Sequence, residues 1–379
     1  MVPRRARRGP DAGRRGAYAR LESPTGDAAR LDALLEVVAG TWRDLGARTR
    51  PVPAADGAHL LVEIDGTADR AGEAPVLCLG HHDTVWPAGT LDGPVPLRVA
   101  PGPGGDVLHG PGVYDMKGGL VVLETAVRAL RASGRGHRPI HVCVVADEEV
   151  GSPTARDLVR ARARDSVAVL GFEPPHPDGA LKTARWGSTR LRLTCTGRES
   201  HAALAPEDGV SAVDELVDQL VAARALAVAT PGVLCNAGTL GGGGRTNVVA
   251  GHAWCDLGLR FETPAAETAV LDRLAAPEPV RPGAVVRGEI LASRPPWPGG
   301  PGCAELLALA ARAGAACGQD VDGRPARGAA DTNLVGDLGV PVLDGLGPQG
   351  RGAHAPDEQI RLDSLPERAA LVTELLAAL

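Results

Sequence analysis

The chain has 379 residues, which is long for a single hydrophobic core, so two domains are expected. Its 44% hydrophobic content is that of a globular protein, while 2% aromatics argue against nucleic-acid recognition by base stacking. A net charge of −6 offers no basic field for a polyanion, and no apolar run approaches the roughly 20 residues of a membrane-spanning helix. Residues 1–20 hold seven arginines with Gly and Pro but no apolar segment, so they are not a secretory signal. A disordered tail or a misassigned start is expected there, with an Arg-rich transit segment, poor in Ser, as the alternative. The seven cysteines form no C-x-x-C pair, and their odd number favours a reducing, cytoplasmic compartment.

Asp27 is a candidate cap for a helix over residues 31–45, where Leu31, Leu34, Leu35, Val38, Trp42 and Leu45 share a face. Residues 59–64 alternate like a strand. Residues 74–80 form a continuous apolar run typical of a strand covered on both faces, and the run ends at His81. A helix is expected over 119–131, directly after the Gly-rich turn that holds Asp115. The apolar run 139–146 ends at Asp147-Glu148-Glu149, and the run 166–171 ends just before Glu173. Residues 340–343 lead through a Gly-rich loop to His354. Polar candidates thus recur just past the carboxyl ends of buried strands, the edge at which open α/β sheets bind ligands.

Between residues 187 and 291 the pattern changes to strand, helix, strand, strand, helix, strand, with helices over 210–226 and 265–274. That order is a split βαβ sandwich. The expected architecture is α/β: a central mixed sheet flanked by helices over 21–186 and 292–379, with an inserted α+β ferredoxin-like lid over 187–291. Helices over 303–317 and 365–379 complete the main domain.

His81, Asp115, one of the pair Glu148-Glu149, Glu173 and His354 are a donor set suited to two metal ions, with Asp115 as the candidate shared carboxylate. An isolated His-x-Asp or Glu-Glu pair would ordinarily be a solvated surface feature; the recurrence after buried strands is what argues for convergence. His81 and Asp83 share one face of an ending strand, so Asp83 suits a supporting role, while His82 points the other way. Glu148 and Glu149 are adjacent and diverge. One suits a metal, the other a proton-transferring role toward the attacking water.

The motifs H-x-D-T-V-W, G-x-G-x-x-D-M-K-G-G, D-E-E-x-G-S, F-E-P and a late G-A-H together resemble one family. It is the co-catalytic zinc metallopeptidases and amidohydrolases, which include glutamate carboxypeptidase, acetylornithine deacetylase, succinyl-diaminopimelate desuccinylase, aminoacylase and tripeptidase. The resemblance runs from about residue 21 to the C-terminus. It implies one Zn²⁺ on His81, Asp115 and Glu173 and a second on Asp115, Glu149 and His354, with Co²⁺ or Mn²⁺ fitting the same ligands. It implies Glu148 as general base, Asp83 as support for His81, and a lid that forms a homodimer. His201, in Gly197-Arg-Glu-Ser-His201, resembles a lid histidine that stabilises the tetrahedral intermediate across the dimer. Asn247 and Arg260 resemble lid residues that contact substrate, and Arg294 resembles the arginine that takes the substrate carboxylate.

Glu173 in F-E-P favours the glutamate carboxypeptidase branch. The expected activity is cleavage of an amide bond next to a free carboxylate, releasing a C-terminal glutamate or similar amino acid from a small or dipeptide-like substrate. The alternatives are an N-acyl amino-acid deacylase and, remotely, a silent metal- or peptide-binding relative. A dinucleotide-dependent oxidoreductase would need G-x-G-x-x-G after the first buried strand, where His81-His-Asp-Thr stands instead.

Overall fold

A computed structural model describes residues 16–379. The chain forms two compact units, one of residues 16–184, 299–325 and 330–379, the other of residues 185–298 and 326–329. Most of the tail expected over residues 1–20 lies outside the described residues. From residue 16 onward the expectation of a tail is corrected. Tyr18 is buried in a short helical turn, Tyr18–Arg20, and its hydroxyl reaches Glu124 Oε1 at 2.6 Å. An aromatic ring that finds a buried partner for its polar end anchors the segment against the core.

In the larger unit a six-stranded mixed sheet runs in the order Arg48–Val52, His59–Ile64, Ile140–Val145, Val76–His81, Ala168–Gly171, Val342–Leu343. The last four strands are parallel, and the first two are antiparallel additions at one edge. The central runs are buried on both faces, as their lack of alternation predicts. Helices Ala28–Asp44, Gly118–Ser133 and Ser364–Ala378 supply Leu34, Leu123, Leu130 and Leu375 to the common core. Asp27 Oδ1 accepts from Arg30 N at 3.2 Å and caps the first of these helices. The register sets His81 opposite Val145 and Leu79 opposite Gly171. The ends of these strands therefore lie at one level of one edge.

A second, four-stranded sheet was not expected. Its order is Gly350–Arg351, Gln359–Arg361, Gly105–His109, Arg98–Gly102. Its strands are two to five residues long and rich in Gly and Pro, which hides them from a reading of periodicity. It joins the segment leading to Asp115 and the hairpin carrying His354, because Gln359 pairs with His109 and Ile360 with Leu108.

The smaller unit has the β-α-β-β-α-β order. Its sheet runs Val233–Gly242, His252–Phe261, Gly187–Thr196, Val285–Arg294, all antiparallel. Helices Ala212–Ala229 and Pro264–Ala275 cover one face over Leu191, Leu193, Leu257, Leu259 and Phe261. Ser211 Oγ accepts from Asp214 N and Thr263 Oγ1 from Ala266 N, each at 3.2 Å, and these bonds cap the two helices. The opposite face carries Ser188, Arg192, Asp256 and Arg260 together with Trp254 and Leu234.

Candidate metal centre

The centre is built at the carboxyl edge of the larger unit's parallel strands. His81 closes its strand and is buried. Its Nδ1 lies 3.0 Å from the backbone carbonyl of Asp83, so that nitrogen donates and Nε2 is left to face the centre. His81 Nε2 is 3.3 Å from Asp115 Oδ1 and 3.6 Å from Glu173 Oε1. On the other side of the same carboxylate, Asp115 Oδ2 is 3.3 Å from His354 Nε2, which is 3.1 Å from Glu149 Oε2. The two oxygens of Asp115 thus belong to two different triads. Two donors on one tetrahedral ion at 2.0–2.1 Å stand about 3.3 Å apart, so these separations fit a pair of ions. One donor atom each from His81, Asp115 and Glu149 also lie within 4.8 Å of one another.

The electrostatics agree. Burial pulls His81 down, but its bonds to Asp115 and Asp83 outweigh that and hold it well above the usual imidazole range. His354 is pushed up to about 10 by Asp115 and Glu149. Burial raises Asp115, yet the two histidines drive it far below the usual carboxylate range. Burial leaves Glu149 raised despite its bond to His354. Carboxylates crowded this closely without enough cations are the condition that divalent ions relieve. The donor set and its spacing therefore fit two metal ions.

Asp83 has no exposed surface, and its two oxygens hold the next loop. Oδ1 accepts from Glu148 N at 3.2 Å and Oδ2 from Glu149 N at 3.1 Å, with Thr25 Oγ1 donating to Oδ2 at 2.8 Å. One carboxylate thereby fixes the backbone from which Glu148 and Glu149 diverge. Glu149 reaches His354, whereas Glu148 is buried and lines a small cavity with His81, Glu173, Asp331 and Thr332. His82 is buried with neither ring nitrogen bonded, and burial lowers it to about 4.

Glycine makes two of these approaches feasible. Gly112 has φ 70°, and a Cβ there would stand 2.6 Å from Thr84. At Gly119 a Cβ would stand 2.1 Å from the carbonyl oxygen of Phe172, so the helix after Asp115 can lie against the strand end that carries Glu173.

Glu358 was missed in the sequence. It has no exposed surface. It accepts from Trp86 Nε1 at 2.6 Å, Gly112 N at 2.9 Å, Tyr114 N at 2.9 Å and Asp115 N at 3.1 Å. It stands four residues after His354, so it ties the His354 loop to the Asp115 loop. Its position in Ala-His-Ala-Pro-Asp-Glu gives no periodic signal, and its partners are up to 272 residues away. Asp331 was missed for the same reason; its carboxylate bonds the hydroxyl of Ser152, which follows the Glu148-Glu149 turn.

The remaining candidates belong to the smaller unit. His201 Nδ1 accepts from Ala203 N at 3.2 Å and Leu204 N at 3.1 Å, which leaves the proton on Nε2. The carbonyl of Asn247 accepts from Ala202 N at 3.0 Å, so the Asn247 and His201 loops adjoin. Arg260 and Arg294 both pair with Ser188, from opposite sides of its strand.

Residues 77–378 match the family described as Peptidase family M20/M25/M40. The chain belongs to this family. Among M20 relatives, carboxypeptidase G2 of Pseudomonas sp. strain RS-16 is 28% identical over 368 residues, 94% of this chain and 86% of that protein. Succinyl-diaminopimelate desuccinylase of Dechloromonas aromatica is 27% identical, covering 82% of this chain and 85% of that protein. A tripeptidase from Staphylococcus aureus shares the fold with a TM-score of 0.75 at 18% identity, over 95% of this chain and 96% of that one. A Bacillus subtilis protein described as a dinuclear metal binding peptidase of the M20 family gives 0.66 at 15% identity, over 96% and 97% of the two chains. The family and the α/β architecture with its inserted α+β unit are those expected from the motifs, and the protein is a peptidase or amidohydrolase. No helix among the described residues is long and apolar enough to cross a membrane.

Proposed function

We propose that this M20 protein is a two-metal carboxypeptidase that cleaves an amide bond next to a free carboxylate and releases glutamate or a similar amino acid. The observation that carries the reading is the two-sided use of Asp115, with His81, itself beside Glu173, on one oxygen and His354, itself beside Glu149, on the other. Zn²⁺ is the proposed metal, with Co²⁺ or Mn²⁺ able to satisfy the same donors. Bound there, the ions supply Lewis-acid polarisation of the scissile carbonyl and an acidified water. Glu148 takes the proton of the attacking water and passes it to the leaving amine. Asp83 holds Glu148 and Glu149 in their diverging orientations. His201 donates a hydrogen bond from Nε2–H to the developing oxyanion, a role its backbone-fixed tautomer supports. Asn247 contacts the substrate, and Arg294 binds the substrate carboxylate with Arg260 beside it. Carboxypeptidase G2 as a relative over most of the chain supports that branch.

The smaller unit also supports self-association. Val217 and Val221 on the outer face of Ala212–Ala229 are 53% and 63% exposed, and Val233–Gly242 beside that helix is an open edge strand. An exposed apolar stripe next to unpaired backbone groups suits an isologous pairing with a second copy.

One preparation tests both readings. Metal-loaded protein given a mixed pool of N-acyl and N-aminoacyl amino acids is expected to release glutamate or aspartate selectively, read by mass spectrometry. Release of many amino acids from one favoured acyl group would make it a deacylase instead. No turnover with two metals bound would contradict the enzymatic reading. Light scattering is expected to give twice the 38.8 kDa chain mass, and a single chain mass would remove the pairing.

A further inference from the structure

We propose that a crevice of the larger unit, sharing no residue with the metal centre, binds a basic amino acid, with the ligand's carboxylate on Arg368 and Gln349 and its two cationic groups against Asp320 and Asp322. The inference rests on no part of the proposed reaction.

The crevice has a volume of about 420 Å³, in the range of small-molecule sites. Its walls are the turn Asp178-Gly179-Ala180, the loop 319–322 after helix Pro301–Ala316, and the first turn of Ser364–Ala378, with Gln349 and Arg361 beside it. All of these segments belong to the larger unit.

Arg368 selects an anion. It is only 6% exposed. One of its N–H groups donates to the carbonyl of Gly179, and no carboxylate forms an ion pair with it among the described residues. Its chain neighbour Glu367 is taken by Arg361 instead. Burial lowers Arg368 to about 10 even with the charge of Glu367 near. A buried guanidinium with N–H groups to spare gains most from a carboxylate. Gln349 supplies a second donor. Arg361 Nη2 donates to Gln349 Oε1 at 2.6 Å, which leaves Nε2 as the end that faces Gly179. Gly179, with φ 91°, lets the two donors meet: a Cβ there would overlap Gln349 Nε2 and stand 3.1 Å from Arg368 Nη2.

The charge balance sets the rest of the ligand. Asp178 is paired with Arg324 at 2.8 Å, and Glu367 with Arg361. Asp320 and Asp322 have no ion-pair partner among the described residues; Asp322 Oδ1 accepts only from Gly323 N, at 2.7 Å. Val321 between them packs on the main core, which holds the loop in place. One unpaired cation and two unpaired carboxylates complement a molecule with one carboxylate and two cationic groups. Lysine and arginine are that class. A divalent cation would satisfy the two carboxylates and repel Arg368, and a dicarboxylate would do the reverse.

The experiment is calorimetric binding of three probes to the full-length, metal-loaded protein: L-lysine, L-norleucine, which lacks the side-chain cation, and 1,5-diaminopentane, which lacks the carboxylate. Lysine is expected to bind roughly tenfold more tightly than 1,5-diaminopentane and about threefold more tightly than norleucine. Arg368→Met is expected to close the first gap. Asp320→Asn together with Asp322→Asn is expected to close the second, and these exposed side chains can be changed without touching the core, so the test stands even where Arg368→Met fails to fold. No binding of lysine, equal affinity for the three probes, or lysine affinity unchanged by the two Asp→Asn replacements would overturn the site. Lysine binding that survives every variant and vanishes when the metals are removed would place the ligand at the metal centre and overturn it as well.

Discussion

Glu148→Ala is expected to keep its full metal content and to lose turnover by about 10³-fold or more, the scale of a missing general base. The geometry separates the two effects. The ion pairs of the centre join His81 to Asp115 and Glu173, and His354 to Asp115 and Glu149; Glu148 is the proposed base and not one of the proposed ligands. Its backbone amide is held by Asp83 Oδ1 at 3.2 Å whatever its side chain is, so alanine leaves the turn in place. Glu149 keeps its own bond from the same carboxylate, at 3.1 Å to Oδ2. Glu148→Asp, with a shorter reach, is expected to fall between alanine and wild type. The checks are single-turnover rates and metal analysis on the same samples. Turnover within tenfold of wild type in Glu148→Ala would take the proton-transfer role away from this residue.

The second large effect is expected at Glu358. Glu358→Ala removes a buried carboxylate that takes four donors and leaves three backbone N–H groups and the Trp86 indole without a partner. Each unsatisfied buried donor costs about 1–3 kcal/mol, so a loss on the order of 4 kcal/mol is expected. The loss is expected in the metal-free protein too, because the bonds belong to the fold. Metal affinity should fall further, since Asp115 is held through its own amide by Glu358. Glu358→Gln keeps the shape but turns one acceptor toward donors as an NH₂, and should be milder in stability and still impaired in metal binding. Denaturant unfolding of the metal-free variants, with chelator competition for affinity, checks both parts. A Glu358→Ala protein as stable as wild type, with unchanged affinity, would show that these bonds do not hold the Asp115 loop.

These two residues also mark how far the sequence could be read. Glu148 was legible because a buried strand, Ile140–Val145, runs straight into Asp147-Glu148-Glu149, and an apolar run ending in adjacent carboxylates is a local signal. His81 and Glu173 were legible in the same way, from the strands Val76–His81 and Ala168–Gly171. The smaller unit was legible from its change to alternating strands, as in the pattern of Gly187–Thr196. Glu358 was not, because its importance lies in donors from a loop that meets it only after folding. The strands Arg98–Gly102 and Gly105–His109 were hidden by Pro101, Gly102 and Gly105, yet they deliver the Asp115 loop to the His354 hairpin.

The central claim is that Asp115 is shared by two metal ions. Crystals of zinc-loaded protein, measured across the zinc absorption edge, test it most directly. Two anomalous peaks are expected, one between Asp115, His81 and Glu173 and one between Asp115, Glu149 and His354. A single peak, or two peaks that do not share Asp115, would contradict the account.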